Sequence, residues 1–300
     1  MLMTAYNRES YIRPAVESVL QSTFKDFELI IVDDNSRDRT GAIAREYEDA
    51  DERVRVYRNE TNLGDYPNRN RAAGYARAPL LKYVDSDDII YPHGLEVMCR
   101  CIEAFPDAGL AVSAPLDRDA PYPKYLTPEE VYREHFFVLG TLGRAPGSTI
   151  IRRHAFEAVG GFSGNRQVGD HELWLALARS FGVVKMPADL IWSRQHPEQE
   201  KNYDSEVEKI VMHEEVLASA LLAADCPLSE QERDAALSHV RRNRARNYWW
   251  FMTQAGGVRA AEEYRQLVHI PLSTLASFTF DRLRRAGKQV RSGPPKQPKD

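Results

Sequence analysis

Cysteine is scarce: Cys99, Cys101 and Cys226 are the only three in 300 residues. They are too few and too unevenly spaced for a disulfide framework or a zinc site, and Cys99 and Cys101, in a helical stretch, read as packing. Long apolar runs are missing as well. No uninterrupted hydrophobic stretch approaches the roughly 18 residues of a membrane-crossing helix, and nothing at the start reads as a cleavable leader. A dominant charge is absent: 40 Lys and Arg against 44 Asp and Glu leave a formal charge of −4, which argues against a general nucleic-acid binder. Internal repeats are absent too. These absences predict a soluble protein of a reducing cytoplasm, whose 43% hydrophobic content can build one large core and an appendage.

Acidic residues are concentrated at particular points. Asp85-Ser86-Asp87-Asp88 sets three carboxylates at the end of the apolar run Leu80-Leu81-Lys82-Tyr83-Val84. Crowded carboxylates repel unless a positive charge lies between them, and hard oxygen ligands at the end of a buried strand suit Mg²⁺ or Mn²⁺. Taken alone, the tetrapeptide reads equally well as an acidic turn before a helix near His93. Its neighbours decide. Glu28-Leu29-Ile30-Ile31-Val32 has the continuous β-branched character of a strand buried on both faces, and it runs into Asp33-Asp34-Asn35-Ser36. Ile12, Ala15, Val16, Val19 and Leu20 recur at helical spacing, with Ser10 as a candidate cap and Pro14 in the first turn. A helix from Thr40 to about Tyr47, a strand 54–57 and a helix between Pro67 and Ala78 complete a βαβ alternation. That alternation predicts an α/β fold with a mostly parallel central sheet flanked by helices, and ligands above its carboxyl edge.

Met3-Thr4-Ala5-Tyr6-Asn7, then Ser18-Val19-Leu20-Gln21-Ser22-Thr23-Phe24, then the 27–36 and 85–88 motifs occur in the order found in family 2 glycosyltransferases of the GT-A fold, which the chain resembles over about residues 1–200. The ordered set is specific, whereas each member alone is weak. The resemblance implies a hexosyltransferase-like, inverting enzyme that moves a sugar from a nucleoside diphosphate sugar, UDP before dTDP, with Mn²⁺ or Mg²⁺ as cofactor. A glycan or lipid-linked acceptor in polysaccharide or cell-envelope glycan synthesis is implied as the second substrate. By the same resemblance Thr4 and Tyr6 pack against the base, Asp34 accepts from its imide nitrogen, Asp85 faces the ribose or a metal-bound water, and Asp87 is the direct metal ligand. An acceptor-only carboxylate and an aromatic face suit that edge of uracil or thymine. Arg194 and His196, in 190–197, resemble the closing strand that returns to the diphosphate, Arg194 neutralising phosphate and His196 completing the metal shell.

Asp170, in Gly169-Asp170-His171-Glu172-Leu173-Trp174-Leu175, matches the family's general base, although Gly169 stands where a first acid is usual. Glu172 is its rival, since side chains two apart on a helix point differently and one serves; a helix cap is the plainer reading of Asp170.

Residues 1–200 are expected to form the catalytic domain, with a nucleotide half to about 90 and an acceptor half beyond. Residues 201–280 read as a helical appendage whose Tyr248-Trp249-Trp250-Phe251 packs on the catalytic domain, and 281–300 as a basic flexible tail able to touch the inner face of a membrane. The chain opens inside its first strand, so the native start is expected to precede Met1. Two other classes remain. A nucleotidyltransferase would need a glycine-rich phosphate loop after the first strand, which Thr4-Ala5-Tyr6-Asn7 is not. A non-catalytic nucleotide-sugar binder has Gly169 as its single hint.

Overall fold

The computed structural model describes residues 1–115, 120–197, 199, 205–253 and 256–275. Two compact units emerge, Met1–Tyr203 with Leu222–Ser229, and Asp204–Leu221 with Glu230–Asp300.

The first unit begins β1 (Leu2–Ala5), α1 (Ile12–Leu20), β2 (Leu29–Asp33), α2 (Thr40–Ala50), β3 (Val54–Arg58) and α3 (Asp65–Tyr75). β2 is buried along its length because β1 and β3 pair with it in parallel on either side, Leu2 opposite Ile30 and Val54 opposite Leu29. α1 turns Ile12, Ala15, Val16 and Val19 fully into the core. Ser10 does not cap it. The amides of Tyr11 and Ile12 both reach the Arg8 carbonyl instead.

The run 80–84, expected as one strand, serves two sheets. β4 (Leu80–Leu81) pairs antiparallel with β8 (Thr149–Arg152). Beyond it the Leu2 amide donates to the Lys82 carbonyl at 2.8 Å and the Val84 amide to the Leu2 carbonyl at 2.9 Å, so 82–84 lie beside β1. The acidic tetrapeptide thus leaves the seam between the sheets. The second sheet has the order β4-β8-β6-β9-β7, with β6 (Ala108–Ser113), β7 (Lys124–Leu126) and β9 (Gly182–Met186). Its only parallel pair is β6 with β9, so the expected parallel character belongs to the first sheet. A two-residue antiparallel ladder joins β5 (Ile89–Ile90) to β10 (Ile191–Trp192). Flanking helices are α4 (Gly94–Glu103), α5 (Pro128–Glu134), which runs into a π turn at His135–Leu139, α6 (Arg153–Ala158) and α7 (Gly169–Ser180). Cys99 and Cys101 are buried on α4, as packing requires, and burial pushes the Cys99 thiol up to about 12.

α3 is tied to the glycine turn after α6. Asn70 Nδ2 donates to the Phe162 carbonyl at 2.8 Å and the Phe162 amide donates to Asn70 Oδ1 at 2.9 Å. Gly161 there has φ +72°, and a Cβ on it would lie 2.6 Å from Asn70 Oδ1, so both backbone and space require glycine.

Among the described residues the second unit contains α8 (Glu206–Leu222) up to Leu221, α9 (Glu230–Thr253) and α10 (Gly257–Leu267). Phe251 is buried against Tyr264 in this unit's own core with Val207, Val211 and Ala261, and Tyr248 packs against the same cluster. Glu214 is buried at its centre, accepting from Asn247 at 2.8 Å and Tyr264 at 2.6 Å and paired with Arg244 at 3.3 Å. The basic tail from 281, with its expected membrane contact, lies outside the described residues. Among those described, no helix is long and apolar enough to cross a membrane.

Asn70→Ala removes both bonds to Phe162. It should lower stability by about 2 kcal/mol, near the cost of two half-buried hydrogen bonds, and speed exchange of the Phe162 amide, measured by hydrogen–deuterium exchange.

Candidate active site

β1 and β2 end side by side, and the chain turns at each through an asparagine with left-handed backbone, Asn7 at φ 53° and Asn35 at φ 62°. The turns are laced together: the Asn7 amide donates to Ser36 Oγ and the Arg37 amide to Asn7 Oδ1, each at 2.9 Å. Thr4 lies half-buried in β1 opposite Val32, and Tyr6 just beyond it is 39% exposed, leaving its ring open to a partner. Asp34 has protein partners of its own. Its carboxylate is buried and already accepts from Asn59 Nδ2 at 2.7 Å and from the Leu63 and Gly64 amides at 2.9 Å each. It therefore holds the 59–64 loop, with one of its four acceptor sites left over.

The acidic tetrapeptide divides its work. Asp87 Oδ2 accepts from Arg8 Nε at 3.2 Å and lies 2.9 Å from His196 Nε2. Arg194 Nε donates to the Asp87 carbonyl at 3.0 Å, and its guanidinium sits over the rings of Trp192 (4.8 Å) and Tyr11 (5.4 Å). Tyr11 also stacks on His196 at 4.5 Å. Asp88 faces inward and grips the other segment, accepting from the Arg194 amide at 2.9 Å and Ser193 Oγ at 3.0 Å. Burial and then the Asp85 charge push its carboxyl up to about 6. Beneath the motif, Lys82 is buried and donates to the Gly147 carbonyl. Burial lowers its ammonium to about 7, against the pull of Asp85 and Asp88.

Asp85 is held by a residue the sequence reading passed over. Arg69 of α3 is buried, donating from Nη2 to Asp85 Oδ1 at 2.7 Å and from Nε to Asp65 Oδ1 at 2.8 Å. Burial opposes its charge, but the two carboxylates outweigh burial and keep it protonated. The available signal was local: Asp65 and Arg69 are one helical turn apart in a helix with few apolar residues. Arg8 was passed over too, because nothing in its sequence neighbourhood points toward Asp87.

Asp170 lies in the first turn of α7, not at its cap. Its Oδ1 accepts from the His171 amide at 2.7 Å. Burial dominates and pushes the carboxyl up to about 6. Glu172 is spent elsewhere, accepting from Ser163 Oγ and from Asn165 Nδ2 at 2.8 Å. The structure thus gathers Asp87, Arg194 and His196 directly, joins Asp85 to them along the motif, and separates the partners of Asp170 and Glu172.

Asp87 and His196 suit a divalent cation in one respect. Their 2.9 Å separation is near the span of about 3 Å between adjacent corners of an octahedron with bonds of about 2.1 Å. Two protein ligands also suit Mg²⁺, which leaves its remaining positions to phosphate and water. Among the described residues no group of three such side chains is arranged to hold a metal by itself.

A carboxyl that titrates near 6 when folded and near 4 when unfolded costs stability once ionised. Wild type should therefore lose stability relative to Asp170→Asn as pH rises from about 4 to about 6 and run parallel to it above that, as urea denaturation at a series of pH values would show.

The Glycosyl transferase family 2 profile matches residues 1–160. An uncharacterized glycosyltransferase of Methanocaldococcus jannaschii is 36% identical over 115 residues, which are 38% of this chain and 40% of that protein. One from Haemophilus influenzae is 28% identical over 204 residues, 65% and 68% of the two chains. The chain thus matches well under half the length of the archaeal relative. Among solved structures, S. aureus TarS in complex with UDP-GlcNAc superposes with a TM-score of 0.67 at 19% identity over 99% of this chain and 92% of that one. The mannosyltransferase PcManGT from Pyrobaculum calidifontis, in complex with GDP-Man and Mn²⁺, gives 0.65 at 14% identity over 97% and 81%. Identities this low speak for the fold, which is of the GT-A type. A profile match over more than half the residues adds the family: this chain belongs to glycosyl transferase family 2.

Proposed function

We propose that residues 1–200 form the catalytic part of a metal-dependent, inverting transferase that moves a sugar from a nucleoside diphosphate sugar to a hydroxyl of a glycan or lipid-linked acceptor in polysaccharide or cell-envelope glycan synthesis. The observation that carries this reading is Asp87, whose carboxylate lies between Arg8 and His196 with Arg194 against its backbone. Such a cluster of one anion and several cationic or ligating groups, at the carboxyl ends of parallel strands, fits a metal-bound diphosphate. The fold neighbours with UDP-GlcNAc and with GDP-Man and Mn²⁺ support a nucleotide-sugar donor. UDP is our first choice and dTDP our second, because the remaining acceptor site of Asp34 and the open Tyr6 ring suit an imide edge.

The residues divide the reaction among them. Tyr6 offers the base a stacking face. Arg8 and Arg194 offset phosphate charge, and Arg194 is kept in place by the rings of Trp192 and Tyr11. Asp87 and His196 would hold Mn²⁺ or Mg²⁺, which supplies positive charge to the departing diphosphate. Asp170 takes the proton of the acceptor hydroxyl as its oxygen bonds to the anomeric carbon and the bond from that carbon to the diphosphate oxygen breaks, the electron pair leaving with the diphosphate.

Calorimetry with UDP and Mn²⁺ should show metal-dependent binding that Asp87→Asn weakens without unfolding the protein; undiminished binding in the variant would remove Asp87 as a ligand. On an acceptor identified by screening, Asp170→Asn should lower turnover by about 10² to 10⁴ while donor binding persists, and Glu172→Gln should stay close to wild type. Wild-type turnover should fall below about pH 6, where the Asp170 carboxyl takes up its proton. A crippled Glu172→Gln beside an active Asp170→Asn would reverse the assignment.

A further inference from the structure

The loop that follows the π turn holds an arginine that nothing neutralises. Arg144 is half-buried, and its Nε is shut off from water without meeting an acceptor. Among the described residues its guanidinium has no ion pair and no hydrogen bond. The other buried and half-buried arginines of the first unit are occupied: Arg152 donates to the carbonyls of Ile102, Phe105 and Ala108, for example, and Arg179 faces Asp225 at 3.5 Å. Carboxylates of the adjoining elements are already taken. Glu134, at the end of α5, pairs with Lys185 at 2.9 Å and accepts from Thr141, while Glu172 of α7 accepts from Ser163 and Asn165. A donor cut off from water without an acceptor is costly, and a guanidinium cannot relieve that cost by losing its proton.

The backbone beneath this charge is fixed to α7. The Leu142 amide donates to His135 Nδ1 at 3.1 Å, His135 Nε2 lies 3.3 Å from His171 Nε2, and Trp174 Nε1 donates to the Arg144 carbonyl at 2.6 Å. Trp174 is one helical turn beyond Asp170, on the same stripe of α7. The Gly143 amide donates to the Gly140 carbonyl at 3.1 Å, so the chain reverses over 140–143 and sets Arg144 beside Leu139. Leu139 ends a run of three exposed apolar side chains, with Phe137 38%, Val138 70% and Leu139 59% accessible. An apolar tip alone would fit many partners. With an unpaired guanidinium held next to it, the complementary partner is an anion attached to a hydrocarbon chain, and the planar fork of arginine matches the oxygens of a phosphate.

We propose that Arg144 and residues 137–139 form the anchoring site of the acceptor, Arg144 taking a phosphate ester and the apolar tip the hydrocarbon chain attached to it. The proposal rests on the reading of residues 1–200 as a sugar transferase and deepens it: the acceptor is lipid-linked through phosphate, and its anchor is held by the loop tied to the helix that carries Asp170.

The test titrates octyl phosphate, octyl glucoside and inorganic phosphate into the full chain in the presence of excess UDP and Mg²⁺, which keep phosphate out of the donor site, and follows binding by calorimetry. Octyl phosphate should bind, and Arg144→Gln, its fold verified by circular dichroism, should weaken it about tenfold, in keeping with the loss of a charge-assisted hydrogen bond. Octyl glucoside carries the same chain without the charge and should bind both proteins equally. Leu139→Ser should weaken both octyl compounds, and inorganic phosphate should bind about tenfold less tightly than octyl phosphate because it lacks the chain. If Arg144→Gln fails to fold, Arg144→Lys, which keeps the charge and loses the fork, should still weaken octyl phosphate. Unchanged octyl phosphate binding in the folded Arg144 variants overturns the proposal. Inorganic phosphate bound as tightly as its octyl ester overturns it too, since the site would then take a soluble phosphate. Wild type that holds octyl phosphate through Arg144 but takes up no UDP would strike the donor reading and leave the anchoring site standing.

Discussion

Arg69 is the charge around which the site is built. A guanidinium with little access to water is stable only if carboxylates meet it, and Asp65 and Asp85 do so at 2.8 and 2.7 Å. Its backbone carbonyl accepts from the Tyr83 hydroxyl at 3.0 Å, which secures the same helix to the extended segment that leads into the acidic motif. α3 also packs the Tyr66 ring against Gly169 at the start of α7 and ties Asn70 to Phe162. One short, mostly polar helix thus joins the end of the first sheet to the turn that leads into α7 and Asp170. Replacing Arg69 would leave Asp65 and Asp85 facing one another without a cation, and would loosen both halves of the site at once.

The same electrostatics explains how three neighbouring carboxylates coexist. Asp85 is given to Arg69, Asp87 to Arg8 and His196, and Asp88 to the amide of Arg194 and the hydroxyl of Ser193. Each has its own partner, so repulsion along 85–88 is relieved locally. Asp88, the most enclosed of the three, has a carboxyl pushed up to about 6, the direction expected where burial outweighs hydrogen bonding.

Where hydrophobic pattern governs structure, the sequence was readable. The β-branched run through 28–32 became β2, the spacing of Ile12, Ala15, Val16 and Val19 became the inner face of α1, and the βαβ alternation became the parallel β1-β2-β3 sheet, while the GT-A fold was read from the ordered motifs. The acidic clusters stood out as crowded carboxylates, and the segment carrying Arg194 and His196 was singled out by its resemblance to the family's closing strand. The polar interior was not readable. Tyr66, Asn68 and Arg69 are buried on a helix whose composition suggests the surface, and beyond the one-turn spacing to Asp65 no periodicity rule marks a buried arginine whose other partner, Asp85, is sixteen residues away. Asp34 was recognisable as a motif residue, but its three protein donors, two of them backbone amides, come from a loop with no sequence signature. The run 80–84 looked like one strand because extended backbone shared between two sheets has the same side-chain pattern as extended backbone within one.

The adjacent grips of Asp87 and Asp88 bear on how this chain can change length. Asp88 fixes residues 193 and 194 while Asp87 meets residue 196, and Gln199 Nε2 closes the segment by donating to the Arg194 carbonyl at 2.6 Å. Because the two carboxylates are consecutive, the spacing between their targets is set by a single peptide unit on the opposing side. One residue inserted or deleted between Arg194 and His196 would put one of the two grips out of register, and no shift of the acidic motif could restore both. Length variation in this part of the chain is therefore barred from that interval, whatever substitutions it accepts.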